Sequence, residues 1–146
     1  MKRFLVMNGP NLNLLGRREP QVYGALSLER INARIAEEAA KLGVSVTFFQ
    51  SNHEGALVDK LHETMDQVDG VILNAGAYTH TSVAIADAIK GTGHRVIEVH
   101  LSNIHRREEF RHHSFLAPVC EGSVVGLGWK SYVAALQTLA MDDMAD

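Results

Sequence analysis

The strongest constraint in this sequence is an alternation, in which short apolar runs of strand length recur between segments whose apolar residues repeat at helical spacing. The runs are FLVM at Phe4 to Met7, VSVTFF at Val44 to Phe49, VIL at Val71 to Leu73, VIEV at Val96 to Val99 and SVVGL at Ser123 to Leu127. Runs this short, mostly rich in β-branched residues, read as buried strands. After the first run, Ser27 is an N-cap candidate for a helix that places Leu28, Ile31, Ile35 and Leu42 on one face and ends at Gly43. A second helix, roughly Ala56 to Val68, stacks Leu57, Leu61 and Met65 and turns Asp59, Lys60 and Glu63 outward. A third runs from about Ser82 to Lys90, with Thr79 or Thr81 as its expected cap. The last runs from about Ser131 to Met141, with Val133, Leu136 and Leu139 or Ala140 turned inward.

Strand followed by helix, repeated with short connections, implies right-handed parallel crossovers and a sheet covered on both faces. The expected fold is therefore α/β, a flavodoxin-like three-layer α/β/α sandwich with a five-stranded parallel sheet. One catalytic domain over residues 1–146 suits this length, with the acidic stretch from Met141 to Asp146 expected to fray. Ligands of such sheets bind beyond the carboxyl ends of the strands, so chemistry is expected in the segments that follow the runs.

A formal net charge of -3 argues against a nucleic-acid or acidic-membrane partner, since both favour a strongly basic surface. A compact small-molecule substrate is the expectation instead. Cys120 is the only cysteine, which excludes an internal disulfide and a Cys-rich zinc site and points to the reducing cytoplasm. The opening MKRFLVMNGPN reads as a first strand, its apolar run being too short for a signal-peptide core or a membrane span of ~20 residues. The eight histidines form no HExxH or other short ligand pattern, so no metal is expected. Gly126 and Gly128 precede the last helix, but the βαβ unit of a dinucleotide site is missing there. Neither a Walker loop nor a GxSxG elbow occurs, and among the lysines only Lys130 lies near a strand's carboxyl end.

Three connections are unusual. NGPNLNLLGRREPQVYG, Asn8 to Gly24, is far longer than most strand-to-helix loops and carries Asn11, Asn13, Arg17, Arg18 and Tyr23 between prolines and glycines. It reads as a functional loop or lid, the plainer alternative being solvated turn residues. LNAGAYTHTS, Leu73 to Ser82, ends a strand at Asn74, turns at Gly76 and sends Asn74 and His80 toward the crevice, the plainer alternative being that Asn74 only satisfies loop backbone and His80 is a partly exposed helix-start residue. Asp87, inside the third helix, reads from position alone as part of a solvated face. In EVHLSNIHRREEFRHHS, Glu98 to Ser114, strand alternation puts Glu98 and His100 on one face, where the carboxylate can orient the imidazole. Arg107 and Arg111 share a face if Glu108 to His112 is helical, and otherwise the run is a salt-laced exposed segment.

Together with NHEG at Asn52 to Gly55 and VGLGW near the end, these segments make the chain resemble the type II 3-dehydroquinate dehydratases over almost its whole length. The resemblance implies elimination of water from 3-dehydroquinate through an enolate, giving 3-dehydroshikimate, with no metal or organic cofactor. It matches Tyr23 to the base and Arg18 to the guanidinium that depresses its pKa. It matches Asn11 to a water-holding residue at the enolate, His100 to the general acid and Glu98 to that acid's support. Substrate binding falls by the same resemblance to Asn74, His80, Leu101, Ser102 and Arg111. Asp87 matches a residue contributed by a neighbouring subunit, implying a homo-oligomer of trimers assembled into a dodecamer. Arg17 occupies a variable, solvent-facing position, and Arg107 is a candidate second cation. The competing readings are an FMN-type binding module, which would be coloured and inert toward 3-dehydroquinate, and a receiver-like domain. The latter needs an acidic cluster where this chain has Asn8, Asn11 and Asn13.

Overall fold

The computed structural model describes residues 1–17, 21 and 25–141. Among the described residues, strands β1 (Arg3–Asn8), β2 (Ser45–Gln50), β3 (Gly70–Asn74), β4 (Val96–His100) and β5 (Gly122–Val125) form one sheet. Every pairing is parallel and the order is β2-β1-β3-β4-β5. Helices α1 (Leu28–Leu42), α2 (Glu54–Glu63), α3 (Val83–Thr92) and α4 (Lys130–Ala140) alternate with the strands. This is the expected flavodoxin-like fold, whose strand order reverses between β1 and β3 and opens a crevice there.

Strand periodicity divides the core into two layers. Phe4, Val6, Ile72, Ile97 and Val99 pack with Ile31, Ile35 and Ala39 of α1 and Tyr132, Ala135, Leu136 and Leu139 of α4. Leu5, Met7, Val71, Leu73 and Val96 pack on the other side with Leu57 and Leu61 of α2 and Ile85, Ala88 and Ile89 of α3. Burial of each large aliphatic chain contributes ~1.5–3 kcal/mol, so both helical layers are held mainly by these stripes. Register brings the last residues of β1 and β3, Asn8 and Asn74, side by side, with His100 at the end of the neighbouring β4.

Helix α1 keeps the expected ends. Ser27 accepts a hydrogen bond from the Arg30 amide, and Gly43 stops the helix in the left-handed region at φ 71°. Leu42, expected on the buried face, is exposed because Ala39 is the last residue of α1 to reach the core. Helix α2 ends earlier than expected. The Thr64 hydroxyl donates back to the Lys60 carbonyl at 2.8 Å, and Asp66 turns to φ 64°, which leaves Met65 in solvent. The cap of α3 is neither threonine: Ser82 accepts from the Ile85 amide at 2.9 Å, while Thr79 is buried and engaged elsewhere. In α4 the inward stripe runs through Tyr132 rather than Val133, which is half-buried. β5 ends at Val125, because Gly126 turns to φ 87° and Leu127 points outward.

Candidate active site

The carboxyl ends of β3 and β4 line a cavity of about 100 Å³ together with the segments that follow β1, β3 and β4. Its walls include Asn11, Asn74, His80, His100, Leu101, Ser102, Arg107 and Arg111. His100 is the last residue of β4, and two positions earlier Glu98 shares its side of the sheet. Their side chains meet, with 2.7 Å between Nε2 of His100 and Oε2 of Glu98. Both are buried, Glu98 to 1% exposure, a setting in which an unpaired carboxylate would be strongly disfavoured. Burial is the largest influence on Glu98 and pushes its pKa up. His100 and the Ser114 and Thr79 hydroxyls outweigh it together and hold the group below the ordinary carboxylate value. Thr79 donates at 3.2 Å to Oε2, and Ser114 lies 2.9 Å from both carboxylate oxygens.

The backbone under His100 is fixed by the turn after β5. The Gly126 amide donates to the His100 carbonyl at 3.1 Å, as does the Ser131 hydroxyl, and the Gly128 amide donates to the Leu101 carbonyl at 3.0 Å. Gly128, at φ 60°, takes a backbone conformation that glycine adopts readily. The GxG pair thus anchors the β4 end.

His80 closes the short 3-10 turn Gly76–His80, with its ring stacked 6.3 Å from that of His100. Its Nδ1 lies 2.8 Å from the His113 carbonyl, an acceptor only, so that nitrogen carries the proton. Burial is the main cause that lowers the His80 pKa. The His113 carbonyl opposes it, and neighbouring His100 and Arg111 reinforce it. Asn74 is held by its Nδ2 donating to the Tyr132 hydroxyl at 3.0 Å and its Oδ1 accepting from the Gly76 amide at 3.1 Å. The Tyr132 hydroxyl donates in turn to Asn8 at 2.5 Å.

After β1 the chain passes so close to the β3 end that a Cβ on Gly9 would collide with the Ala75 carbonyl oxygen. Asn11 then adopts φ 68°, a left-handed conformation that asparagine tolerates, and its amide donates to Asn52 Oδ1 at 3.0 Å. Arg107 precedes and Arg111 ends the 3-10 turn Glu109–Arg111, and both contact the Glu108 carboxylate, at 3.7 and 3.3 Å. Neither is the fully exposed arginine of a salt-laced helix, since both line the cavity.

Comparison with known proteins gives this arrangement a family. The model of the dehydroquinase class II family matches residues 2–140. The chain belongs to that family. It is 54% identical over 142 residues to the 3-dehydroquinate dehydratase of Bacillus pumilus (strain SAFR-032), covering 97% of each chain. Its fold superposes on the type II dehydroquinase of Butyrivibrio crossotus DSM 2876 with TM-score 0.94 at 46% identity, over 96% of this chain and 98% of that one. The type II dehydroquinase of Propionibacterium acnes gives TM-score 0.93 at 44% identity, over 97% and 98%. As a class II dehydroquinase the chain is an enzyme of the lyase type expected from its motifs.

Of the residues singled out in the sequence, Asn11, Asn74, His80, His100, Leu101, Ser102 and Arg111 come together around the cavity, with Glu98 directly behind His100. Arg17 is exposed, as expected. Asp87 is exposed on α3 and does not line the cavity. Arg18 and Tyr23 lie outside the described residues. The sequence offered Thr79 only as a helix cap and Asn52 only as part of NHEG, and gave no role to Ser114 or Tyr132; in the fold Thr79 and Ser114 hold Glu98, Tyr132 holds Asn74 and Asn52 holds the Asn11 turn. The spacing of these residues carries no local signal. Among the described residues no group of three or more His, Cys, Asp or Glu side chains could hold a metal ion, and no helix is long and apolar enough to cross a membrane.

Proposed function

We propose that this dehydroquinase converts 3-dehydroquinate to 3-dehydroshikimate and water by anti elimination, with Tyr23 as base and His100 as acid. The observation that carries the reading is the buried Glu98–His100 pair on the wall of a cavity that also presents two arginines. Tyr23, as phenolate, removes the proton α to the ketone. A free tyrosine has a pKa of ~10, and each unit of depression requires ~1.4 kcal/mol of preferential phenolate stabilisation. Arg18 supplies that stabilisation through a nearby positive charge. The enolate oxygen is met by a water held on Asn11, an electrostatic role suited to a preorganised site. The enolate then collapses to the ketone, its electrons forming the ring double bond as the C1–O bond breaks; the C1 hydroxyl leaves as water with a proton from charged His100, whose imidazolium Glu98 supports before the transfer.

Asn74, His80, the Leu101–Ser102 segment and Arg111 hold the substrate, the backbone and hydroxyl of Leu101–Ser102 gripping its carboxylate. No cofactor takes part. Asp87, exposed on α3, serves the site of an adjacent subunit in a trimer, and four trimers form a dodecamer working in the cytoplasm. Addition of 3-dehydroquinate to the EDTA-treated protein is expected to raise the ultraviolet absorbance of the conjugated enone product. No rise would overturn the dehydratase reading. Near-normal turnover in Tyr23→Phe would overturn the assignment of the base.

A further inference from the structure

The hydroxyl of Ser114 has an unusually complete set of partners. It accepts from the Leu116 amide at 3.1 Å and from the Ala117 amide at 3.0 Å. A serine hydroxyl offers two lone pairs and one proton. With both lone pairs taken, the proton is directed at the remaining neighbours, the two oxygens of Glu98, each 2.9 Å away. Ser114 therefore cannot accept a proton from a neutral Glu98 without breaking a backbone contact. Thr79 adds a second hydroxyl on Oε2, and Ser123 approaches Oε1 at 3.5 Å.

This has a consequence for His100. A carboxylate only accepts, so the 2.7 Å contact requires the proton of His100 to sit on Nε2. In the neutral ring Nδ1 is then bare, and in the charged ring it carries the proton that can be given away. The neighbours of Ser114 fasten the same region. The His113 carbonyl accepts from His80, and the Phe115 amide donates to the Thr79 carbonyl at 2.9 Å. Three consecutive residues thus brace His80, Glu98 and Thr79.

We infer that Ser114 is a positioning residue for proton delivery: its hydroxyl, locked by two backbone amides, holds Glu98 as the acceptor that keeps His100 protonated on Nε2 and turns Nδ1 to the substrate. The inference rests on the reading of His100 as the acid, while the tautomer itself can be read without turnover. The titratable and charged groups around the pair are His80 on the turn after β3, Arg107 and Arg111 beyond β4, and Cys120 before β5. Burial pushes the Cys120 thiol up to about 12, so it stays neutral through the working range.

The test is nitrogen-15 spectroscopy of His100 in the full-length protein without ligand, joined to the pH dependence of kcat. In the unaltered protein with the His100 ring neutral, Nε2 is expected to carry the proton. In Ser114→Ala the two tautomers are expected to mix and the alkaline limb of kcat to move to lower pH. The same variant should lose about tenfold in kcat, part of the ~10²–10⁴-fold that a positioned general acid contributes, with KM little changed. An Nδ1–H tautomer in the unaltered protein would overturn the inference. So would a Ser114→Ala protein that keeps the original tautomer and pH profile, whatever its rate. Should that variant not fold, Ser114→Cys, a weaker donor of similar size, carries the same readouts. Absence of turnover in the unaltered protein would count against the dehydratase reading instead, and leave the imidazole spectrum to judge Ser114.

Discussion

At the end of β4, Glu98 is 1% exposed and its carboxylate is gripped by His100, Thr79 and Ser114. A few residues further along, the Arg111 guanidinium rests instead on Glu108, whose side chain is 49% exposed. Both regions line or back the same cavity, yet they hold charge differently. Glu98 could exchange its partners only by leaving buried donors unsatisfied, at about 1–3 kcal/mol each. The Arg111–Glu108 pair is of the surface kind, weakened by solvent screening, so an incoming anion can replace the glutamate at small cost. The first region is fixed by buried contacts, and the second is held by contacts that solvent or an anion can replace.

The largest effect is expected on the fixed side. His100→Ala should lower kcat by ~10²–10⁴-fold, the usual contribution of a positioned acid, with a much smaller change in KM. A kcat within a few fold of normal in steady-state assays would show that the pair is structural. On the exchangeable side, Arg111→Ala should mainly raise KM. A charged hydrogen bond is worth ~1.5–3 kcal/mol, so the increase should be about 10- to 100-fold. A loss confined to kcat would place Arg111 with the fixed group.

Acid should tell the regions apart next. The folded pKa of Glu98 lies below its ordinary 4.5, so its stabilising contribution is complete above that value and lost as pH falls through the lower, folded one. The lowered pKa of His80 acts in the same direction, starting as pH falls below about 6.5. Urea denaturation from pH 7 to pH 3 should show falling stability, and the part below about pH 4.5 should shrink in Glu98→Gln. An identical profile for that variant would mean that other carboxylates govern acid unfolding. The smallest effect belongs to Glu108→Gln, which should leave the urea midpoint nearly unchanged and alter KM by less than about threefold. A large change in either would show that Glu108 holds its arginines firmly.

Much of the fold was legible because its signals are local. The strand runs, the Ser27 and Gly43 ends of α1 and the inward faces around Leu57 and Leu61 follow from period and capping alone. Period also misled in places. Leu42 and Met65 continue a helical stripe in sequence, yet they lie where the helix has run past the core or has already ended. The pairing of Glu98 with His100 was readable for the same reason, since residues two apart on a strand share a face.

What the amino-acid order determined by itself, then, was the succession of elements, the same-side placement of Glu98 and His100 and the motifs that mark the family. Only the folded chain decided which distant groups meet them. Thr79, a capping candidate by position, instead donates to a carboxylate 19 residues away, and Ser114 reaches the same group from 16 residues beyond it. Tyr132 joins Asn8 across 124 residues. Periodicity and capping act over a turn or two of chain, whereas a buried polar group takes whatever donor the sheet's crossovers carry to it, and that choice exists only once the layers have packed.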